Sequence, residues 1–93
     1  MRNETIVELD DPPVFNPGDK VRTLREVRND GTFAGRMRGE ILIPAGEVGY
    51  VASIGTFLQQ FYIYGVDFVD RGLLVGMRAK ELDLMTGEKE GLR

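Results

Sequence analysis

The chain has 93 residues, with 12 Lys plus Arg against 15 Asp plus Glu, and it contains neither cysteine nor histidine. This length defines one small domain near the lower limit of independent folding, and the missing residue types exclude a disulfide, a thiolate or imidazole metal site, and His- or Cys-based nucleophilic relays. A net charge of −3 argues against general nucleic-acid binding, where phosphate neutralisation dominates affinity.

No apolar run is long enough to span a membrane, and "MRNETIVELDDPP" lacks the basic-then-apolar order of a signal peptide. The expectation is a soluble, cytoplasmic protein. Charge is divided along the chain: residues 1–19 carry −4, residues 20–38 carry +4 and the remainder −3. An arginine cluster on an acidic body suits a specific acidic partner surface, although a plain solvated face accounts for it equally well.

In chain order, residues 1–13 read as a flexible acidic arm. "IVEL" has the makings of a short strand, but Asp10-Asp11-Pro12-Pro13 breaks any regular element. A domain spanning 14–86 follows, launched by the turn "NPGD" at 16–19, and 87–93 form a polar tail. "KVRTLREVR" at 20–28 is ambiguous. Val21, Leu24 and Val27 have helical spacing behind a possible Asp19 cap, whereas a strand puts Val21 and Thr23 inward together.

Downstream everything is β. In 46–55, Val48, Tyr50, Ala52 and Ile54 share one face, and Glu47, Gly49, Val51 and Ser53 the other. In 61–70, Tyr64, Val66 and Phe68 share a face opposite Asp67. "DRG" at 70–72 is a tight turn in which Gly72 takes positive φ, and Leu73, Val75 and Met77 line one side of the next strand. "AKELDLM" reads as one helical turn followed by a last short strand. The fold class expected is all-β: a small SH3-like five-stranded barrel, with a long loop (26–45) after the first strand and one short helical turn before the last. A loop of about 20 residues in a small domain points to function or disorder.

Two segments in connecting regions share Gly-Thr-Phe, "NDGTFAGRMRGE" at 29–40 and "IGTFLQQ" at 54–60. Their flanks differ, which argues against an internal duplication. Both read as loop-to-strand transitions: Gly31 and Gly55 take angles other residues resist, each Thr bonds local backbone, and each Phe turns inward or lies across a barrel mouth. The structural alternative is that Phe33 and Phe57 simply plug the two barrel ends.

No catalytic constellation stands out, so no enzyme activity, cofactor, metal or small-molecule substrate is expected. The pair Asp10-Asp11 lies in the arm, and Asp67 with Asp70 flanks a turn where acidic residues are common. "NDG" lacks the remaining oxygen ligands of a calcium loop, and "GRMRGE" lacks the Lys-Ser/Thr end of a phosphate loop.

The segments "VRNDGTFAG" (27–35), "GEVGYV" (46–51), "IGTFLQQ" (54–60), "IYGVDFVD" (63–70) and "VGMRAKEL" (75–82), in this order and spacing, resemble the NifZ family of nitrogen-fixation accessory proteins. The resemblance runs from about Phe15 to Leu82. It implies a small SH3-like protein that binds immature nitrogenase molybdenum–iron protein in a chaperone-like way and assists maturation of its P-cluster, with no active site of its own. The chain departs from the family pattern at Met77, where Cys is frequent, and near Phe33-Ala34-Gly35, where Tyr-Pro-Gly is frequent. The missing thiol argues against cluster ligation by this chain and leaves protein binding untouched.

Motifs that fall in loops read as contact surfaces. The expected partner-binding set is Arg25, Arg28, Asn29, Asp30, Thr32 and Phe33 with Thr56, Phe57, Leu58 and Gln59, arginine forks gripping acidic groups and an aromatic serving as anchor. Two alternatives belong to other classes: an adaptor docking a ferredoxin-type electron-transfer partner, and an RNA-binding barrel, which the net acidity disfavours. The acidic arm is also a potential competitor for the arginine patch.

Overall fold

Among the described residues, β-branched and aromatic side chains produce seven strands: β1 (Lys20–Thr23), β2 (Val27–Arg28), β3 (Ile41–Ile43), β4 (Val48–Phe57), β5 (Phe61–Phe68), β6 (Leu73–Met77) and β7 (Leu82–Leu84). Single 3-10 turns occupy Glu8–Asp10, Val69–Arg71 and Ala79–Glu81. The structure, a computed structural model, describes residues 8–85. The tail at 87–93 and the first half of "IVEL" lie outside them. Glu8 and Leu9, its second half, begin a 3-10 turn instead of a strand.

Residues 20–28 resolve as strand, bend, strand. The helical spacing of Val21, Leu24 and Val27 loses to tertiary pairing, because Val21 lies on a strand paired on both sides, with β4 and with β7. Val21 and Thr23 are both fully buried, Leu24 is exposed, and Thr23 Oγ1 donates to the Arg25 carbonyl at 2.6 Å, which turns the chain out of β1.

Five strands form an antiparallel sheet in the order β6-β5-β4-β1-β7, and β2 pairs with β3 separately. The fold is all-β, but the sheet is not closed into a barrel: its hydrogen bonding stops at β6 and β7. These two edges are joined in sequence by only the short turn at 79–81. The 26–45 segment holds the β2–β3 hairpin, and β3 drops Leu42 and Ile43 into the same core as Val21, Val51, Tyr64, Val66, Phe68, Val75, Met77 and Leu82. Full burial of a side chain such as Phe68 contributes roughly 1.5–3 kcal/mol.

The faces of β5 and β6 follow the sequence alternation, with Tyr64, Val66 and Phe68 fully buried opposite Asp67, and with Val75 and Met77 buried. β4 does not follow it simply. Gly49 and Val51 point inward while Tyr50 is exposed, and a register shift between Val51 and Ser53 then returns half-buried Ile54 to the core side. A side chain at Gly49 would strike Val66 and Phe68, so the inward position tolerates only glycine.

Candidate partner-binding surfaces

The two Gly-Thr-Phe segments differ in how they satisfy their own polar groups. In the first, Asn29 is 2% exposed and ties the loop together. Its Nδ2 donates to the carbonyls of Phe33 (3.2 Å), Arg36 (3.0 Å) and Met37 (3.2 Å). Its Oδ1 accepts from the amides of Gly31 (2.9 Å) and Phe33 (3.1 Å). The Asn29 backbone adds bonds to Glu40 and Gly39, at 2.8 and 2.7 Å. An amide side chain is suited to this position because it offers donors and an acceptor together. Asp30 accepts from the Thr32 amide (3.1 Å) and hydroxyl (2.8 Å), and the hydroxyl bond, followed by the amide bond, holds its carboxyl below the ordinary 3.8. Gly31 has φ +105, with the Arg38 guanidinium lying against it. Phe33 is half-buried against the core.

The loop's arginines are largely committed. Arg28 Nε bonds Glu26 at 2.7 Å and its Nη1 the Gly39 carbonyl at 2.7 Å, while Arg36 bonds Glu40 at 3.1 Å. Nearby, Arg22 pairs with Asp83 at 2.8 Å. The Arg25 side chain is exposed to solvent.

The second segment is not a loop-to-strand transition. Gly55 and Thr56 lie within β4 and pair with Ile63 and Tyr62, and Gly55 needs no positive φ. Phe57 pairs with Phe61, and the Gln60 amide closes a turn on the Phe57 carbonyl at 3.1 Å. Leu58 and Gln59 inside that turn both have φ 55. Two positive values are the type I′ signature that Asn-Gly normally supplies; for non-glycine residues each costs about 1–2 kcal/mol. Phe57 is 51% exposed and Leu58 68%. The hairpin thus holds a strained backbone and turns two apolar side chains to solvent. Phe33 packs inward, whereas Phe57 does not plug an end.

The residues expected to form one contact surface do not form one patch. Asn29 holds the carbonyl of Arg36, whose side chain lines a shallow cleft with Glu47, Asp70, Arg71 and Leu73 at the β5–β6 turn, whereas Arg25 and Arg28 line a second cleft with Val75, Gly76, Met77 and Glu81. The Phe57–Gln60 tip stands at the other end of β5, whose eight residues span about 25 Å. Sequence reasoning passed over three groups next to the tip. Phe61 packs on Phe57 with ring centroids 5.5 Å apart, the Arg78 guanidinium lies 3.7 Å from the Phe61 centroid, and Tyr62 points its hydroxyl at residue 11. The hairpin register, once Leu58–Gln60 is taken as the turn, is the signal that would have placed Phe61 opposite Phe57.

Among the described residues no group of three or more acidic side chains is positioned to hold a metal ion, and no helix is long and apolar enough to cross a membrane. Fold and surfaces define a small all-β protein distinguished by a strained, apolar hairpin tip and a self-bonded polar loop. A family model described as the NifZ domain matches residues 12–84. The chain is 50% identical to a putative NifZ protein of Sinorhizobium fredii over 90% of its own length and 78% of that protein's. It is 54% identical to a probable NifZ protein of Rhodobacter capsulatus, over 76% and 91% of the two chains. Against the NifZ protein of Azotobacter vinelandii the identity is 49%, covering 77% of this chain and 45% of that one. No solved structure matches. The chain belongs to the NifZ family and is a nitrogen-fixation-associated protein.

Proposed function

We propose that this chain is a non-catalytic assembly factor for nitrogenase: it binds the immature molybdenum–iron protein and assists maturation of the P-cluster on that partner. The observation that carries the reading is the Phe57–Leu58 tip. Strain is stored in the turn while two adjacent apolar side chains stay in water, an arrangement that lowers the stability of the free chain and that a covering partner would offset. The tip lies within the family-like segment "IGTFLQQ". Phe57 and Leu58 act as anchors, and Thr56 and Gln59 supply rim hydrogen bonds.

In the other segment, Arg25, Arg28, Asp30 and Thr32 form a second, polar contact zone, positioned from inside by Asn29 and Phe33. Arg22, Arg28 and Arg36 are paired with carboxylates, but these pairs are exposed and weak, so the apolar tip rather than the arginines is what favours this reading over the docking of an acidic ferredoxin. The test is retention of purified immature and mature molybdenum–iron protein on the immobilised chain, with ferredoxin as competitor. Preference for the immature form is expected; binding of ferredoxin alone would replace this reading with the electron-transfer adaptor.

A further inference from the structure

β6 ends at Met77, opposite Tyr64, so Phe61–Ile63 of β5 pair with β4 on one side and, among the described residues, with no strand on the other. A free strand edge is a template for another extended segment. Residues 8–14 run beside this stretch. The Tyr62 amide donates to Glu8 Oε1 at 3.3 Å, the Tyr62 hydroxyl to the Asp11 carbonyl at 2.6 Å, and the Val14 amide to the Tyr64 hydroxyl at 3.1 Å. The same Glu8 oxygen lies 3.6 Å from Arg78 Nη2. Arg78 is fixed in place from several sides. Its amide bonds Glu81 at 2.9 Å, its guanidinium rests on Phe61, and its Nε is buried with no hydrogen-bond partner.

A strand-edge amide, a neighbouring guanidinium and an aromatic floor form a receptor for a carboxylate on an extended chain. The chain's own segment fills it poorly. Its two carboxylate contacts are long, none of residues 8–10 is buried, and Pro12 and Pro13 have no amide to offer a ladder. Its advantage is being tethered, which raises its effective concentration. The receptor adjoins the proposed anchor through the Phe57–Phe61 contact.

We infer that the free edge of β5 at Phe61–Ile63, with Arg78 over Phe61, is a docking site for an extended acidic segment of a partner protein, and that residues 8–13 occupy it until that segment displaces them. Residues 8–13 therefore guard Arg78. This inference rests on the docking role proposed above and names the chemistry of the segment bound beside the tip.

Its test needs no nitrogenase, so its failure is distinguishable from failure of the docking role. A synthetic peptide of sequence ETIVELDDTTV, residues 4–14 with Pro12→Thr and Pro13→Thr so that every ladder amide is present, is titrated into the full-length chain while backbone amide NMR shifts are followed. Glu8→Gln should bind it about tenfold more tightly than wild type, because the tethered competitor has lost its charge. The shifts should centre on Phe61, Tyr62 and Arg78. Adding Arg78→Gln should return the affinity to wild type or below, and Arg78→Lys, which keeps the charge and the stem packing, should lose less. No saturable binding by the Glu8→Gln chain, equal affinity in wild type, no loss with Arg78→Gln, or shifts centred on Arg25 and Arg28 would each overturn the inference.

Discussion

The 29–40 loop and the 57–60 turn begin from the same tripeptide and end in opposite states. In the loop the Asn29 side chain alone engages five backbone groups, and the aromatic turns toward the core. In the turn two adjacent apolar side chains, Phe57 and Leu58, face water on a strained non-glycine backbone; the loop exposes Met37 as well, at 77%, but its positive φ angles fall on glycines. Local sequence did not decide this; the strand register did. Gly55-Thr56-Phe57 continues a ladder with β5, whereas Gly31-Thr32-Phe33 follows a two-residue strand and must be held by an asparagine. The difference teaches where to look for structure and where for binding: an element that satisfies itself supports the fold, and one that stores strain and exposes apolar area waits for a partner.

The comparison breaks most sharply at Asn29. Asn29→Ala should cost about 2–3 kcal/mol, because it leaves loop amides and carbonyls without partners. Thermal denaturation should then show a midpoint lowered by roughly 10–20 °C. A loss near zero would mean the loop does not depend on its central amide.

The turn should respond in the opposite direction. Leu58→Asn with Gln59→Gly supplies residues that tolerate positive φ, and should raise stability by about 1–2 kcal/mol. The same double variant removes an anchor, so it should bind partner at least about tenfold more weakly. A gain in stability with unchanged binding would separate the strain from the contact surface.

Arg25→Glu with Arg28→Glu is expected to lower the midpoint by only a few degrees. The ion pair lost, Arg28 with Glu26, is exposed, and such pairs contribute about 1 kcal/mol or less. Unfolding of this variant would move both arginines from contact residues to fold residues. Its effect on partner retention measures how much the polar zone adds to the tip.

The smallest expected effect is at Asp30. Its carboxyl is held low chiefly by the Thr32 hydroxyl, so its contribution is fully present above the ordinary value of 3.8 and is lost as pH falls through the lowered one. Melting curves between pH 7 and pH 3 should therefore show slightly less acid loss in Asp30→Ala than in wild type. An identical acid limb in the two proteins would show that the Asp30–Thr32 bonds do not matter to stability.

Much of this was legible in the chain. The β character, the inward faces of β5 and β6, the left-handed Gly72 and the single helical turn before the last strand follow from alternation and turn chemistry. What escaped were features set by pairing between distant strands. The bulge after Val51 reassigned the faces of β4, and the contact between Gly49 and Phe68 is invisible to a local pattern. Val21 became a central-strand residue because β4 and β7 flank it, a tertiary effect that outweighs its helical spacing. In the candidate site, Phe57 and Leu58 were recognisable as members of a distinctive loop. Asn29 shared that motif, yet its side chain is engaged by the loop's own backbone. Arg78 gave no sign, since its stacking on Phe61 depends on where β6 stops.

The central claim is that the apolar tip, more than the arginine-bearing loop, makes the contact with immature nitrogenase. Its most direct test is retention of immature and mature molybdenum–iron protein on three immobilised full-length chains: wild type, Phe57→Ala with Leu58→Ala, and Arg25→Glu with Arg28→Glu. Wild type should prefer the immature form. The tip variant should lose nearly all of that retention while keeping its melting midpoint within a few degrees, and the arginine variant should lose less. Full retention by the tip variant, alongside loss in the arginine variant, would contradict the claim.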